Sequence, residues 1–308
     1  MPKPFLSLQG QIDLLKSRGL IFDNDEIAKN YLLKNNYYNV INSNSKFFIN
    51  KDENYLNGTN FNEIVAVHTF DKTIKDLLLN NILTIENYFR SIVAYCYAEK
   101  TKNEAYAYFN IDNYGNDDNE SHKLIEDLNE LINDENEKGD NAIKHYVNTY
   151  NDVPIWVLCN FMTFGQTLRL FKYSRNDIKS QIVHSINDCV NDNLQTSNIR
   201  LNQVQIHNIL DNIKNTRNIA AHNNRLFDHR YMFNYPYVGE LYSSLGITSS
   251  LNRNSIYDTI IQMKMFMEEE KFNYMNTEIS KAITILTQKV KTIDVDIITS
   301  SFGFPNSK

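Results

Sequence analysis

The sequence predicts an all-α protein, and three observations carry that prediction. Its 308 residues include only 9 glycines and 5 prolines, too few for the turns of an all-β fold. No run alternates apolar and polar residues between hairpin-type turns, and no segment repeats itself. Apolar residues instead recur at three- and four-residue spacing, the period of a helix with one buried face. Hydrophobic residues make up 42% of the chain and aromatic residues 12%, which is enough for one large core or two modest ones.

Residues 7–50 predict two or three short helices. In SLQGQIDLLKSRGL, Leu8, Ile12 and Leu15 keep helical spacing, with Ser7 placed as N-cap and Gly19 near the C-terminal end. DNDEIAKNYLLKNNYYNVI repeats the logic, with acidic residues in its first turn and Ile27, Tyr31 and Leu32 on one face. The asparagine-rich segment 42–60 reads as a loop. From Phe61 to about Lys100, positions from Val67 through Ile74, Ile82 and Phe89 to Cys96 hold the longest helical stripe. Residues 101–121 break it, an acidic helix follows at 122–136 and another at 141–150. In segment 152–174, Pro154 sits just inside a helix start and Gly165 marks a break or a close helix contact. The single tryptophan, Trp156, is expected in core or interface packing with its neighbouring phenylalanines. Helices are expected at 175–194, 198–224, 253–271 and 275–292, with a loop over 230–252. The division that results is an N-terminal helical region 1–60, a helical domain 61–300 and a frayed tail 301–308.

The opening MPKPFLSLQG lacks the apolar core of a secretion signal, and no apolar run approaches a membrane span. A cytoplasmic protein with no membrane partner is expected. Cys96, Cys159 and Cys189 are far apart in apolar helical contexts, so buried thiols are expected rather than a disulfide framework or a zinc site. A net charge of −6 has the wrong sign for wrapping nucleic acid, so an RNA role must rest on a local basic cleft, and no DNA partner is expected.

One segment breaks with that acidic background: NTRNIAAHNNRLFDHR, residues 215–230. In the helix leading into it, Leu201, Val204, Ile209, Leu210 and Ile213 form the apolar face, and Arg217, four residues on, continues that stripe. A guanidinium there needs a carboxylate or phosphate partner, or a cleft. Asn218 and His222 share a second face, with Arg225 three residues further, so the amide is placed to orient the imidazole. Arg217 and His222 diverge by about 140° at roughly 100° per residue. Either the helix ends at HNN, or a second copy supplies the complementary groups. Arginine and histidine at a helix C-terminus also have an ordinary role, complementing the helix dipole. The chemistry they suit is RNA cleavage through the 2′-hydroxyl, with histidine moving the proton and arginine holding the phosphate. That logic requires no metal and no cofactor, and His222 and His229 lack the companion carboxylates or thiolates of a metal site. The basic turn of Arg169, Lys172 and Arg175 is expected to face solvent.

The stretch RNIAAHNNRLFD resembles the R-N-x-x-x-H signature of the HEPN superfamily of helical ribonucleases and nucleotide-binding proteins. More narrowly, the chain resembles the abortive-infection (Abi) proteins of the AbiD and AbiF type, which act against phage. LLKSRGLIFDNDEIAKNYLLKNNYYNVI, ILTIENYFRSIVAY and VPIWVLCNFMTFGQTLRLF extend the resemblance in collinear order over most of the chain. After NNYYNV the chain departs from it, with INSNSKFFI in place of a Gly-Tyr-containing continuation.

The resemblance implies a HEPN-like helical bundle with a small N-terminal helical region and extra C-terminal helices. It implies that Arg217, Asn218 and His222 are catalytic, that Arg225, His229 and Arg230 contact RNA, and that the protein is a homodimer with two motifs across one cleft. Glu86, in TIENYFR, matches a frequent polar position and stands either as an orienter of Arg217 or as the i,i+4 partner of Arg90. The function expected on this basis is a metal-independent endoribonuclease toxin of an anti-phage system. The alternatives are a non-catalytic module that holds a structured non-coding RNA, and a protein-interaction scaffold.

Overall fold

A computed structural model describes residues 5–102, 104–116 and 118–306. Among the described residues there are thirteen α-helices and no β-strand, only three isolated bridges, so the all-α expectation holds. The N-terminal region carries α1 (Leu8–Ser17) and α2 (Asp25–Asn35), then one π-helical turn, Tyr38–Asn42, and a 3₁₀ turn, Ser45–Phe47. Ser7 caps α1 by accepting from the Gly10 amide, and Gly19, at φ +91°, turns the chain away. In α2 the buried face is Ala28 and Leu32 with half-buried Tyr31, whereas Ile27 is 66% exposed. Burial there follows the helix's contact with α1, which leaves the first-turn isoleucine outside.

α3 (Phe61–Lys100) is the spine of the molecule, 40 residues long, or about 60 Å at 1.5 Å per residue. The Asn60 side chain and Glu63 form a capping box at its start. Val67, Phe70, Ile74, Leu78, Ile82, Ile85, Phe89, Val93 and Cys96 are buried as the periodicity predicts. Helices cover α3 on several sides, which also buries five polar residues along it: Glu63, His68, Asp71, Lys75 and Glu86. Around α3 lie α4 (Asn119–Glu137), α5 (Ala142–Tyr150), α6 (Ile155–Leu158), α7 (Phe164–Tyr173), α8 (Asn176–Asn193) and α9 (Gln203–Ala221). The chain continues with α10 (Gly239–Tyr242), α11 (Ile256–Met263), α12 (Glu269–Lys289) and α13 (Asp296–Ser301). α12, α9 and α8 make the most extensive packing against α3.

Gly165 belongs to the first turn of α7, behind the Thr163 cap, so segment 152–174 is broken after α6. Of the two places expected for Trp156, the core is excluded: the residue is 56% exposed, because α6 is a single turn whose buried face is Ile155, Val157 and Leu158. Arg169 and Arg175 do not face solvent freely either. Arg169 pairs with Asp127, and Arg175 binds Asp177, Asn113 and the carbonyl of Lys100. The tail differs from a frayed end. Phe302 is fully buried against Phe70 and Phe227, with centroids 5.2 and 5.9 Å away, and the Gly303 backbone lies where a Cβ would be 2.2 Å from the Ser255 hydroxyl. Residues 307 and 308 of that tail, and residues 1–4 of the N-terminal region, lie outside the described residues.

Candidate functional site

The site is built where α9 ends. An Asn202–Gln205 capping box starts the helix, and Ile206, Ile209, Leu210 and Ile213 bury its apolar face against α3. Leu201 is buried just ahead of the helix, whereas Val204 is exposed. The helix stops at HNN. His222 is the C-cap, Asn223 takes the left-handed conformation (φ 53°), its amide bonds the Ala220 carbonyl, and the Asn224 amide bonds the Ile219 carbonyl. These two bonds are the Schellman pattern, in which asparagine tolerates the left-handed position better than most residues. The second face predicted for α9 is therefore cut short: Arg225 lies beyond the helix, not one turn up it.

Arg217 finds the carboxylate partner its position requires. Glu86, on α3 and only 2% exposed, has one oxygen 3.7 Å from Arg217 Nε and accepts a short bond from Arg90 Nη2 on the other. Glu86 thus hydrogen-bonds Arg90 at i,i+4 and stands within ion-pair range of Arg217. Arg90 is fixed further by donating to the Met162 carbonyl at 2.7 Å. One buried negative charge faces two guanidiniums, leaving a surplus positive charge. Arg217 holds it nearer water, with 36% of its side chain exposed against 18% for Arg90. The remaining donors of Arg217 are little used within the chain, the nearest acceptor being Asn218 Oδ1 at 3.5 Å.

Asn218 and His222 are both exposed, and among the described residues no hydrogen bond joins their side chains. The amide expected to orient the imidazole leans toward Arg217 instead. Arg225 is exposed with its guanidinium over the Phe227 ring at 5.5 Å, and Arg230 is exposed and donates to the His229 and Ser301 carbonyls. His229 packs edge-on against Tyr231, with centroids 4.7 Å apart, and its pKa is lowered by burial and by Arg230. A polar chain behind it fixes the returning segment of the loop: Tyr231 bonds Thr216 and Thr259, and Tyr235 also bonds Thr259.

Sequence reasoning missed the groups that hold the turn itself. Asp71 and Lys75 on α3 form an ion pair at 2.8 Å with each side chain only 6% exposed. Lys75 Nζ donates to Asn223 Oδ1 at 2.8 Å, and Asp71 Oδ1 accepts from the Leu226 amide at 2.9 Å. The pair thus grips both sides of the turn that follows His222. Burial raises the Asp71 pKa, an effect that the Lys75 charge opposes. A signal was available, since Asp71 and Lys75 each adjoin a buried stripe residue, Phe70 and Ile74, at i,i+4 spacing. The N-terminal region also reaches the turn. Lys46 pairs with Asp228 and lies over the Phe47 and Phe227 rings at 4.5 and 4.8 Å.

The fold and site together define a helical protein whose arginine- and histidine-bearing helix end is anchored to buried charges on one long central helix. A family model described as Abi-like protein matches residues 30–228, about two thirds of the chain, and the chain belongs to that family. The matched stretch takes in Glu86, Asp71, Lys75 and the whole 217–228 motif, while α10–α13 lie beyond it. No curated protein and no solved structure matches the chain. Among the described residues no helix is long and apolar enough to cross a membrane, and no group of three or more His, Cys, Asp or Glu side chains is placed to hold a metal ion.

Proposed function

We propose that the protein acts in abortive infection against phage as a metal-independent endoribonuclease of the HEPN type. In this reading His222 moves the proton of the attacking 2′-hydroxyl or of the leaving oxygen. Arg217 holds the scissile phosphate, and Asn218 contacts the same nucleotide. Arg225, His229 and Arg230 extend the RNA contact along the turn. The observation that carries the reading is the buried Glu86 shared by two arginines. It lies within ion-pair range of Arg217 Nε at 3.7 Å, is hydrogen-bonded by Arg90, and leaves a surplus positive charge at the exposed helix end that bears His222. A guanidinium whose charge is only partly balanced by a carboxylate it shares can still attract a phosphate.

Arg217 and His222 stand five residues apart across the end of α9, about 7.5 Å along the axis. Two copies facing one another would bring the arginine of one to the histidine of the other, so the active species in this reading is a homodimer. The expected result is that His222→Ala abolishes RNA cleavage and growth inhibition while leaving the circular dichroism spectrum unchanged. Products should end in a 2′,3′-cyclic phosphate, and EDTA should leave the rate unaltered. Cleavage that persists in His222→Ala, with a confirmed pure protein, overturns the assignment.

One observation favours a second reading, a non-catalytic module that holds a structured RNA. The His222 imidazole has no orienting side-chain bond from Asn218, and a binding residue needs none. RNA that copurifies, binds less tightly as salt rises and is cut under no condition would select this reading.

A further inference from the structure

The exposure of Trp156 marks a second place to look, because large exposed aromatic surfaces mark binding sites more often than chance. Trp156 does not stand alone. It and Tyr95, which is 67% exposed, line a cleft of about 520 Å³ over the small residues Ser91, Ala94 and Ala98 of α3. A second cleft, of about 600 Å³, shares Trp156, Ala98 and Lys102 with the first and carries Tyr106 and Tyr150. Each volume lies in the range of small-molecule sites.

The charge of the clefts selects the kind of ligand. Three carboxylates, Glu99, Glu104 and Asp152, line them against one ammonium, that of Lys102. Each carboxylate is half-buried, yet only neutral donors meet it: Glu99 accepts from Gln181, Glu104 from Asn110 and Asn113, and Asp152 from the Tyr106 amide. Arg175 reaches Glu104 only through the Asn113 side chain, to which it donates. Such donors satisfy the lone pairs and leave the negative charge without a counter-charge. Ala98, Thr101 and Lys102 of the second cleft also stand at the C-terminal end of α3, where the helix dipole adds partial negative charge. The negative field reaches the rings as well: burial first, and then the Asp152 charge, raise the pKa of Tyr106 and Tyr108.

Aromatic faces beside uncompensated carboxylates are the surroundings of an organic cation: the rings attract the charge and cover the methylenes, and the carboxylates accept from the N–H donors. Among the described residues no three acidic, histidine or cysteine side chains converge closely enough to hold a metal ion, so the negative charge is spread along the clefts and suits an extended cation better than a compact one. We propose that the joined Trp156 clefts bind a linear polyamine, its methylenes on Trp156 and Tyr95 and its ammonium groups at Glu99, Glu104 and Asp152. The site is separate from the Arg217–His222 helix end and does not depend on what that end does.

Trp156 is the only tryptophan in the chain, so its emission reports this cleft alone. The test titrates the full chain, freed of nucleic acid, with spermidine at constant ionic strength. The emission should change saturably, and magnesium chloride at the same ionic strength should leave it unchanged. By calorimetry, Trp156→Leu, which keeps an apolar side chain without the ring, should weaken binding about 10-fold. Asp152→Asn and Glu104→Gln keep an acceptor for the neutral donors and remove only the charge, so each should weaken binding about 5-fold. Lys102→Ala removes a like charge and should tighten binding about 2-fold, the opposite of its effect on an anionic ligand.

The proposal is overturned if spermidine gives no saturable change, if magnesium reproduces it, if Trp156→Leu binds as the parent does, or if Lys102→Ala weakens binding. A tetralysine peptide that changes the emission where spermidine does not overturns it too, and assigns the clefts to a basic protein segment. So does emission that varies with protein concentration in the absence of ligand, which assigns them to a second copy of the chain. Spermidine that fails to bind a protein still able to cleave RNA sinks this proposal and leaves the ribonuclease reading standing. Spermidine that binds a protein never able to cleave does the reverse.

Discussion

Replacing Lys75 with methionine tests whether buried charge, rather than apolar packing, fixes the turn after His222. The substitution keeps most of the side chain's volume and removes only the ammonium. In the native protein that ammonium lies 2.8 Å from Asp71 and 2.8 Å from Asn223 Oδ1, with both members of the ion pair almost wholly buried. Removing one partner of such a pair costs about 3–5 kcal/mol, and the lost bond to Asn223 adds about 0.5–1.5 kcal/mol. Two features offset part of this. The Leu226 amide still donates to Asp71, and the Asp71 carboxyl, its pKa already raised by burial, can take up a proton. A net loss of about 3 kcal/mol follows, a large share of a typical stability of about 5–15 kcal/mol. Asp71→Asn combined with Lys75→Met removes both charges and keeps an acceptor for Leu226, so the double variant should recover to within about 1.5 kcal/mol of the parent. Urea unfolding of the full chain at neutral pH measures the three stabilities. Amide exchange at residues 222–226 should quicken in Lys75→Met before global unfolding does. A loss under about 1 kcal/mol in Lys75→Met, or additive effects in the double variant, would refute the argument that this pair grips the turn.

Three further outcomes are expected. Glu86→Gln should lower stability by about 2–3 kcal/mol in thermal unfolding, less than a fully buried pair because Arg217 reaches water, and Arg217→Met alongside it should reduce that loss. His68 bonds the Tyr31 hydroxyl through Nδ1 at 2.8 Å, and burial together with Lys75 and Lys72 lowers its pKa to about 4 from an ordinary 6.5. The unfolded chain therefore binds the proton more readily, so this site's stabilisation is complete above about pH 6.5 and is lost as pH falls toward 4. The loss, on the order of 1–3 kcal/mol, should vanish from the pH profile of urea unfolding in His68→Gln. Phe302→Ala should cost about 3–5 kcal/mol by opening a cavity beside Phe70 and Phe227, whereas an unchanged melting temperature would restore the frayed-tail expectation.

Local signals in the sequence carried much of the architecture. The Ser7 cap, the Gly19 exit, the α3 stripe and the end of α9 at HNN each follow from neighbours within a few residues, where capping and periodicity act. The same periodicity placed Arg217 on the buried side of α9 and so required a partner for it. It failed where burial depended on the neighbouring element: Ile27 is apolar yet exposed, Trp156 lies outside the core of its own chain, and Phe302 was read as part of a free end yet is enclosed.

What the sequence determined by itself is the helical class, the placing of its main helices and the position of a basic helix end in an acidic chain. Only the tertiary structure decided that Glu86 divides its charge between Arg90 and Arg217, that Asp71 and Lys75 reach a turn about 150 residues further on, and that Lys46 brings the N-terminal region against Asp228. The reason is physical. Helical spacing tells which residues share a face of their own helix, but it carries no information about which side chains lie opposite. A buried charge is stabilised by the group opposite it, and that group is chosen by packing.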